Sequence, residues 1–124
     1  VEDAICATKA AIKEGIVSGG GIALLNAAMY IKAESESEQV LLEAIKAPFK
    51  IILENAGIVD YTLPKVKGEG LDVVTGNMVN MINKGIIDPL LVTKSALTNA
   101  ASVATTILST DCIINNIRMH ESGR

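Results

Sequence analysis

The sequence predicts a mainly α-helical domain with one or two short β strands. Three observations carry this expectation. Apolar residues recur at helical spacing in several separate runs. Glycine, proline and capping residues punctuate those runs where helices should begin and end. Aromatic residues are scarce, only Tyr30, Phe49 and Tyr61, so the core is expected to be aliphatic, built from Ile, Leu, Val, Ala and Met.

From Glu2 to Glu14, Ala4, Ile5, Thr8, Ala11 and Ile12 form a helical stripe with Lys9 and Lys13 on the other side. Glu2 and Asp3 suit the positive end of the helix dipole, and Gly15 is a natural stop. Ser18-Gly19-Gly20-Gly21 then gives a tight or flexible entry into a second helix, Ile22 to about Ala33. Glu34 to Glu38 is an acidic loop with capping residues. A third helix should run from Gln39 to Lys46, break near Ala47 because Pro48 lacks an amide hydrogen, and restart from Pro48 to Asn55 with Gly57 behind it.

The signal weakens from Ile58 to Gly70, where Asp60 could cap a short helix to Lys67 against the objection of Pro64. Leu71 to Thr75 is rich in β-branched residues and reads as a short strand or hairpin arm. Asn77 to Lys84 suggests a turn or two of helix ended by Gly85. Asp88-Pro89 combines a preferred cap with a preferred first residue and should open the longest helix, to about Ser109, striped by Val92, Ala96, Asn99, Val103 and Ile107. Cys112 to Ile117 reads as a last strand.

The 124 residues amount to one domain or a piece of a larger one. Eleven basic against fourteen acidic residues leave a net charge of −3, the wrong sign for a nucleic-acid binder, and no basic block suggests a membrane surface. Apolar runs of four or five residues are too short to span a bilayer. Cys6 and Cys112 have no CxxC or histidine partner nearby, so both read as small buried hydrophobes in a reducing, cytoplasmic setting. The abrupt Val1-Glu2-Asp3 opening, without Met, fits a piece of a longer chain.

Candidate functional residues are few. Amides at the Gly19-Gly20-Gly21 helix start could approach a phosphate or sugar, though the run matches neither common phosphate-loop spacing and equally describes a flexible turn. Asp3 and Asp88 are each explained as helix-terminal carboxylates; Asp72, in a short apolar strand, is less easily dismissed, although an aspartate on an edge strand commonly just faces water. Asp3 could instead orient a water. His120 lies in a polar tail. Ser18, Ser95 and Ser102 have no partners for a catalytic triad.

Three stretches together resemble the bacterial-type (group I) chaperonins, the ring-forming class. They are Val1-Glu2-Asp3-Ala4 running into Ala7-Thr8-Lys9-Ala10-Ala11; Glu14-Gly15-Ile16-Val17-Ser18-Gly19-Gly20-Gly21; and Asn80-Met81-Ile82-Asn83-Lys84-Gly85-Ile86-Ile87-Asp88-Pro89, continued by Val92 to Leu97 and Asn99 to Ala104. Ala47-Pro48 and Glu54-Asn55-Ala56-Gly57 match in the same order. The resemblance implies the C-terminal part of an intermediate domain at residues 1–14, then the C-terminal half of the helical, ATP-binding equatorial domain at residues 15–124.

It also implies roles. Asp3 resembles the aspartate that positions the water attacking ATP, and Gly20 the glycine against the ribose. Asp72, Val73 and Val74 fall at the adenine contact, where the two valines depart from the family's two small residues. Ile86 would pack on the base and Asp88 would bind the ribose hydroxyls. The family's phosphate-gripping loop, its metal-binding aspartate and its client-binding apical domain match nothing in this chain, and Arg118 to Arg124 is unlike the family's tail.

The implied whole is an ATP- and Mg2+-dependent double ring. It would fold non-native polypeptide clients with a co-chaperonin and involve neither nucleic acid nor membrane, while this stretch alone should be inactive. A self-standing helical interaction module without nucleotide chemistry is the alternative.

Overall fold

A computed structural model describes residues 1–121, with side-chain surroundings through residue 110. Helix α1 (Glu2–Glu14) opens the chain and stops at Gly15, whose φ of 88° is a conformation that favours glycine. Strand β1 (Ile16–Ser18) follows, then helices α2 (Ile22–Tyr30), α3 (Glu36–Ala44) and α4 (Ala47–Asn55). The hairpin β2 (Glu69–Asp72) and β3 (Asn77–Asn80), strand β4 (Ile87–Pro89) and helix α5 (Leu90–Glu121) complete the order. The mainly helical class is therefore as expected, with four short strands among the described residues rather than one or two.

A capping residue of the acidic stretch starts α3 at Glu36, three residues before the expected Gln39, so that Glu36 to Glu38 of the expected loop are helix. The Ser35 hydroxyl accepts from the Glu38 amide at 3.2 Å and starts α3. Pro48 sits in the first turn of α4, where its missing amide hydrogen costs nothing.

The core lies where α2, α4 and the hairpin meet. Ile22, Leu25, Phe49, Leu53 and Met81 are buried there, flanked by Ile58, Tyr61, Leu71, Val79 and Ile86. One of the rare aromatics thus stands at the centre, and Tyr61 meets Phe49 edge-to-face with centroids 5.6 Å apart. A smaller cluster of Ala28, Leu42 and Ile45 joins α2 to α3.

Several expectations are corrected. Residues 58–67 form no helix; Pro64 is buried, and its ring bars the preceding residue from helical geometry. Asn77–Asn80 is a strand because it pairs antiparallel with β2, Glu69 opposite Asn80 and Asp72 opposite Asn77. The Cys112–Ile117 segment continues α5; extending a helix adds one hydrogen bond per residue, whereas a lone strand leaves its backbone unpaired.

Asp88 lies in β4, opposite Val17 of β1, and α5 begins at Leu90. On α1, Ile5 and Ile12 are exposed while Ala10 is buried. The helix rests on α5 and β4, and small alanines allow that close approach better than the β-branched stripe would. Cys6 is exposed, not buried; the side chain of Cys112 and all of His120's surroundings lie outside the described residues.

Candidate functional site

The glycine run is tightly packed rather than flexible. A Cβ on Gly21 would stand 2.6 Å from the Phe49 amide nitrogen, and one on Gly19 would stand 3.1 Å from the Ile86 main chain. The Gly19 amide donates to the Ile86 carbonyl at 2.9 Å, and the Ile86 amide donates to the Met81 carbonyl at 2.9 Å. These bonds fix Gly20, in left-handed geometry at φ 66°, beside the turn that carries Ile86.

Opposite stands the hairpin. The Asp72 carboxylate turns onto its own loop, its Oδ1 accepting from the Val74 amide at 3.0 Å, while the Gly76 amide donates to the Asp72 carbonyl at 2.7 Å. This is an Asx turn. Asp72 is buried, 5% exposed, so it does not simply face water from an edge strand. The Val74 amide holds its carboxyl below the usual aspartate range; Thr75 and the positive charge of Lys84 act in the same direction, and burial opposes them.

Between glycine turn and hairpin opens a cleft of about 480 Å³, within the size range of small-molecule sites. Gly20, Asp72, Val73, Val74 and Ile86 all line it. Phe49, Leu53, Leu71 and Met81 make its floor, and Lys84 and Thr75 add polar groups. The Val74 side chain is 90% exposed, so the valine contributes its amide to the turn and its bulk mostly to solvent.

Asp88 is not in this cleft. It is exposed and lines a neighbouring one of about 290 Å³ with Gly21, Pro48 and Thr93; Ile52 borders both. Asp3 is exposed in the first turn of α1 and lines neither cleft. Sequence reasoning missed Lys84, which lay in a stretch read as helix, and the Phe49–Leu53 floor, which reads as ordinary core. It also missed Asn26, 7% exposed with an unpartnered Oδ1. A lone polar residue in an apolar helix was the only signal for that position.

An apolar floor, an acceptor-only carboxylate and one ammonium suit a flat heterocycle with polar edges. The sequence profile of the TCP-1/cpn60 chaperonin family matches residues 1–118. The chain belongs to that family. It is 43% identical over 129 aligned positions to the chaperonin GroEL of Mycoplasmoides gallisepticum (strain R(low / passage 15 / clone 2)), covering 94% of this chain and 24% of the relative. Its fold is similar to a crystal structure of a group III chaperonin in the open state, with a TM-score of 0.66 and 30% identity over 81% of this chain and 24% of that one. This chaperonin chain therefore spans about a quarter of the length of either relative, and among the described residues no helix is long and apolar enough to cross a membrane.

Proposed function

We propose that this chain works within an ATP-dependent, GroEL-like chaperonin that assists the folding of non-native polypeptides, and that its cleft forms the base side of the nucleotide site. The observation that carries the reading is the convergence of Gly20, Asp72, Val73, Val74 and Ile86 on one cleft. These residues come from three parts of the sequence, and the sequence resemblance selects them without reference to the fold.

The chemistry fits a purine. Ile86, Leu71 and Phe49 offer apolar surface to its faces, the Asp72 carboxylate accepts from an exocyclic amino group, and Gly20 lets the main chain approach a sugar. Asp88, one cleft away across Ile52, would accept from ribose hydroxyls. Asp3 would orient the attacking water. Bound ATP with Mg2+ supplies the phosphoryl group whose hydrolysis drives the cycle; in this reading the groups that hold its phosphates and metal come from outside this chain. Residues 1–14 then belong to an intermediate domain and residues 15–124 to an equatorial domain of a cytoplasmic double ring that works with clients and a co-chaperonin.

Equilibrium binding of ATP by the protein as its gene encodes it tests the site. Val73→Trp should fill the cleft and weaken binding by about tenfold or more, the equivalent of roughly 1.4 kcal/mol. An unchanged affinity would place the base elsewhere and favour a helical interaction module without nucleotide chemistry.

A further inference from the structure

Lys84 is held at the cleft by a pinned turn. Its own amide donates to the Asn80 carbonyl at 3.0 Å, Gly85 donates to Ile82 at 3.0 Å, and Ile86 donates to Met81 at 2.9 Å, with Gly85 in left-handed geometry at φ 79°. The root of the lysine is therefore fixed while its side chain lines the cleft. The ion pairs among the described residues join Lys46 and Lys50 to Glu43 and Lys94 to Glu14, so Lys84 makes none. It is nonetheless near enough for its charge to favour the ionised form of Asp72. A donor-only ammonium and an acceptor-only carboxylate thus flank one apolar floor without touching each other.

A group that bridges such a pair carries a donor and an acceptor side by side. The N–C=N edge of a 6-aminopurine does so: the amino group donates and the adjacent ring nitrogen accepts. We propose that Lys84 is a specificity-determining residue of this cleft, donating to a ring nitrogen of the bound base while Asp72 accepts from the amino group beside it. The proposal rests on the nucleotide reading above. It gives the base edge two oppositely charged readers, so that a base lacking the amino group leaves the buried Asp72 carboxylate without that donor, and a base lacking the ring nitrogen forfeits a charge-assisted bond from Lys84.

The test is a binding cycle on the protein as its gene encodes it, with ATP, 1-deaza-ATP and 7-deaza-ATP as probes. Lys84 is exposed and its side chain makes no hydrogen bond among the described residues, so Lys84→Met should fold normally. That variant should bind ATP about tenfold more weakly, a charge-assisted bond lost at a partly open site. 1-Deaza-ATP should show the same loss with the unsubstituted protein and no further loss with Lys84→Met, 7-deaza-ATP should behave as ATP does with both proteins, and Lys84→Arg should restore most of the ATP affinity. Equal weakening of all three nucleotides would show that the lysine serves phosphate charge, and no weakening would show a solvated side chain; either overturns the proposal. If the unsubstituted protein binds none of the probes, the nucleotide reading itself falls and this inference with it.

Discussion

Asp72 contributes through its charge as well as its shape. Its carboxyl is held below the usual aspartate range, chiefly by the Val74 amide, so its protonation opposes folding. A depressed acid stabilises the fold fully above its unfolded value and loses that contribution as the pH falls through its folded value. The window is therefore the acid side, below about pH 4. Asp72→Asn keeps an oxygen acceptor for the Val74 amide but has no charge to lose. Denaturant curves at neutral pH and near pH 3 should show the stability gap between parent and variant narrowing in acid; parallel curves at both would mean that the carboxylate's charge contributes nothing to the turn.

The other two aspartates differ from Asp72 and from each other. Asp3→Ala in the protein as its gene encodes it should leave ATP affinity nearly unchanged and slow single-turnover hydrolysis by about 100-fold or more, the usual scale for losing a group that handles the reacting proton or water. The opposite pattern, lost affinity with a normal turnover rate, removes the assigned role. Asp88→Ala should weaken nucleotide binding yet cost only a few tenths of a kcal/mol in stability, because among the described residues its side chain caps nothing. A sequence reader sees Asp-Pro before a helix and expects a cap; the β1–β4 pairing, which joins residues far apart in the chain, decides otherwise.

At the scale of elements, what was legible follows the range of the forces involved. Helices α1 to α4 were readable because spacing, Pro48, Ser35 and the terminal glycines act within a turn or two. The second hairpin arm was not, because Asn77–Asn80 becomes a strand only by pairing with Glu69–Asp72, and nothing in its own residues announces that partner. The cleft was half legible: resemblance picked out its edge residues, while its floor needed the fold.

The glycine run shows the same limit, since its close contacts are all tertiary. Gly21 and Gly57 have nearly equal φ, 76° and 75°, but a Cβ on Gly21 meets Phe49 at 2.6 Å and one on Gly57 meets nothing within 4 Å. Gly57→Ala should thus cost about 1 kcal/mol for conformation alone. Gly21→Ala should cost about 3 kcal/mol or more, adding the overpacking penalty. Equal losses in urea denaturation would mean that the α2–α4 junction relaxes around a methyl group, and that the glycine is there only for its backbone freedom.

For the whole molecule, surface area sets the argument. The chain exposes 9147 Å², whereas a compact monomer of 13.0 kDa would expose about 6,300 Å² by the usual scaling of surface with mass. Large apolar side chains form part of that surface: Leu97, Val103, Ile107 and Leu108 stand in the open on α5, as do Val40 and Leu41 on α3 and Ile51 on α4. The apolar stripe that the sequence places on α5 stands without a cover, with Val92, Val103 and Ile107 all exposed. Patches beyond a few hundred Å² on a lone chain usually find partners.

An unpaired terminal strand at Cys112–Ile117 would have offered a second route to association through its edge. That segment is helical, so the drive must come through helix faces. The 124-residue chain should therefore associate at micromolar concentration, with a mass that falls on dilution and with binding of a hydrophobic dye. Replacing Val103 and Ile107 by lysine should lower both signals together, since two charges one turn apart on the open face of α5 oppose its burial. Light scattering over a dilution series decides the matter. A monodisperse 13.0 kDa species that binds no dye, or a lysine variant that associates as strongly as its parent, would show that the exposed helix faces are not what brings the chains together.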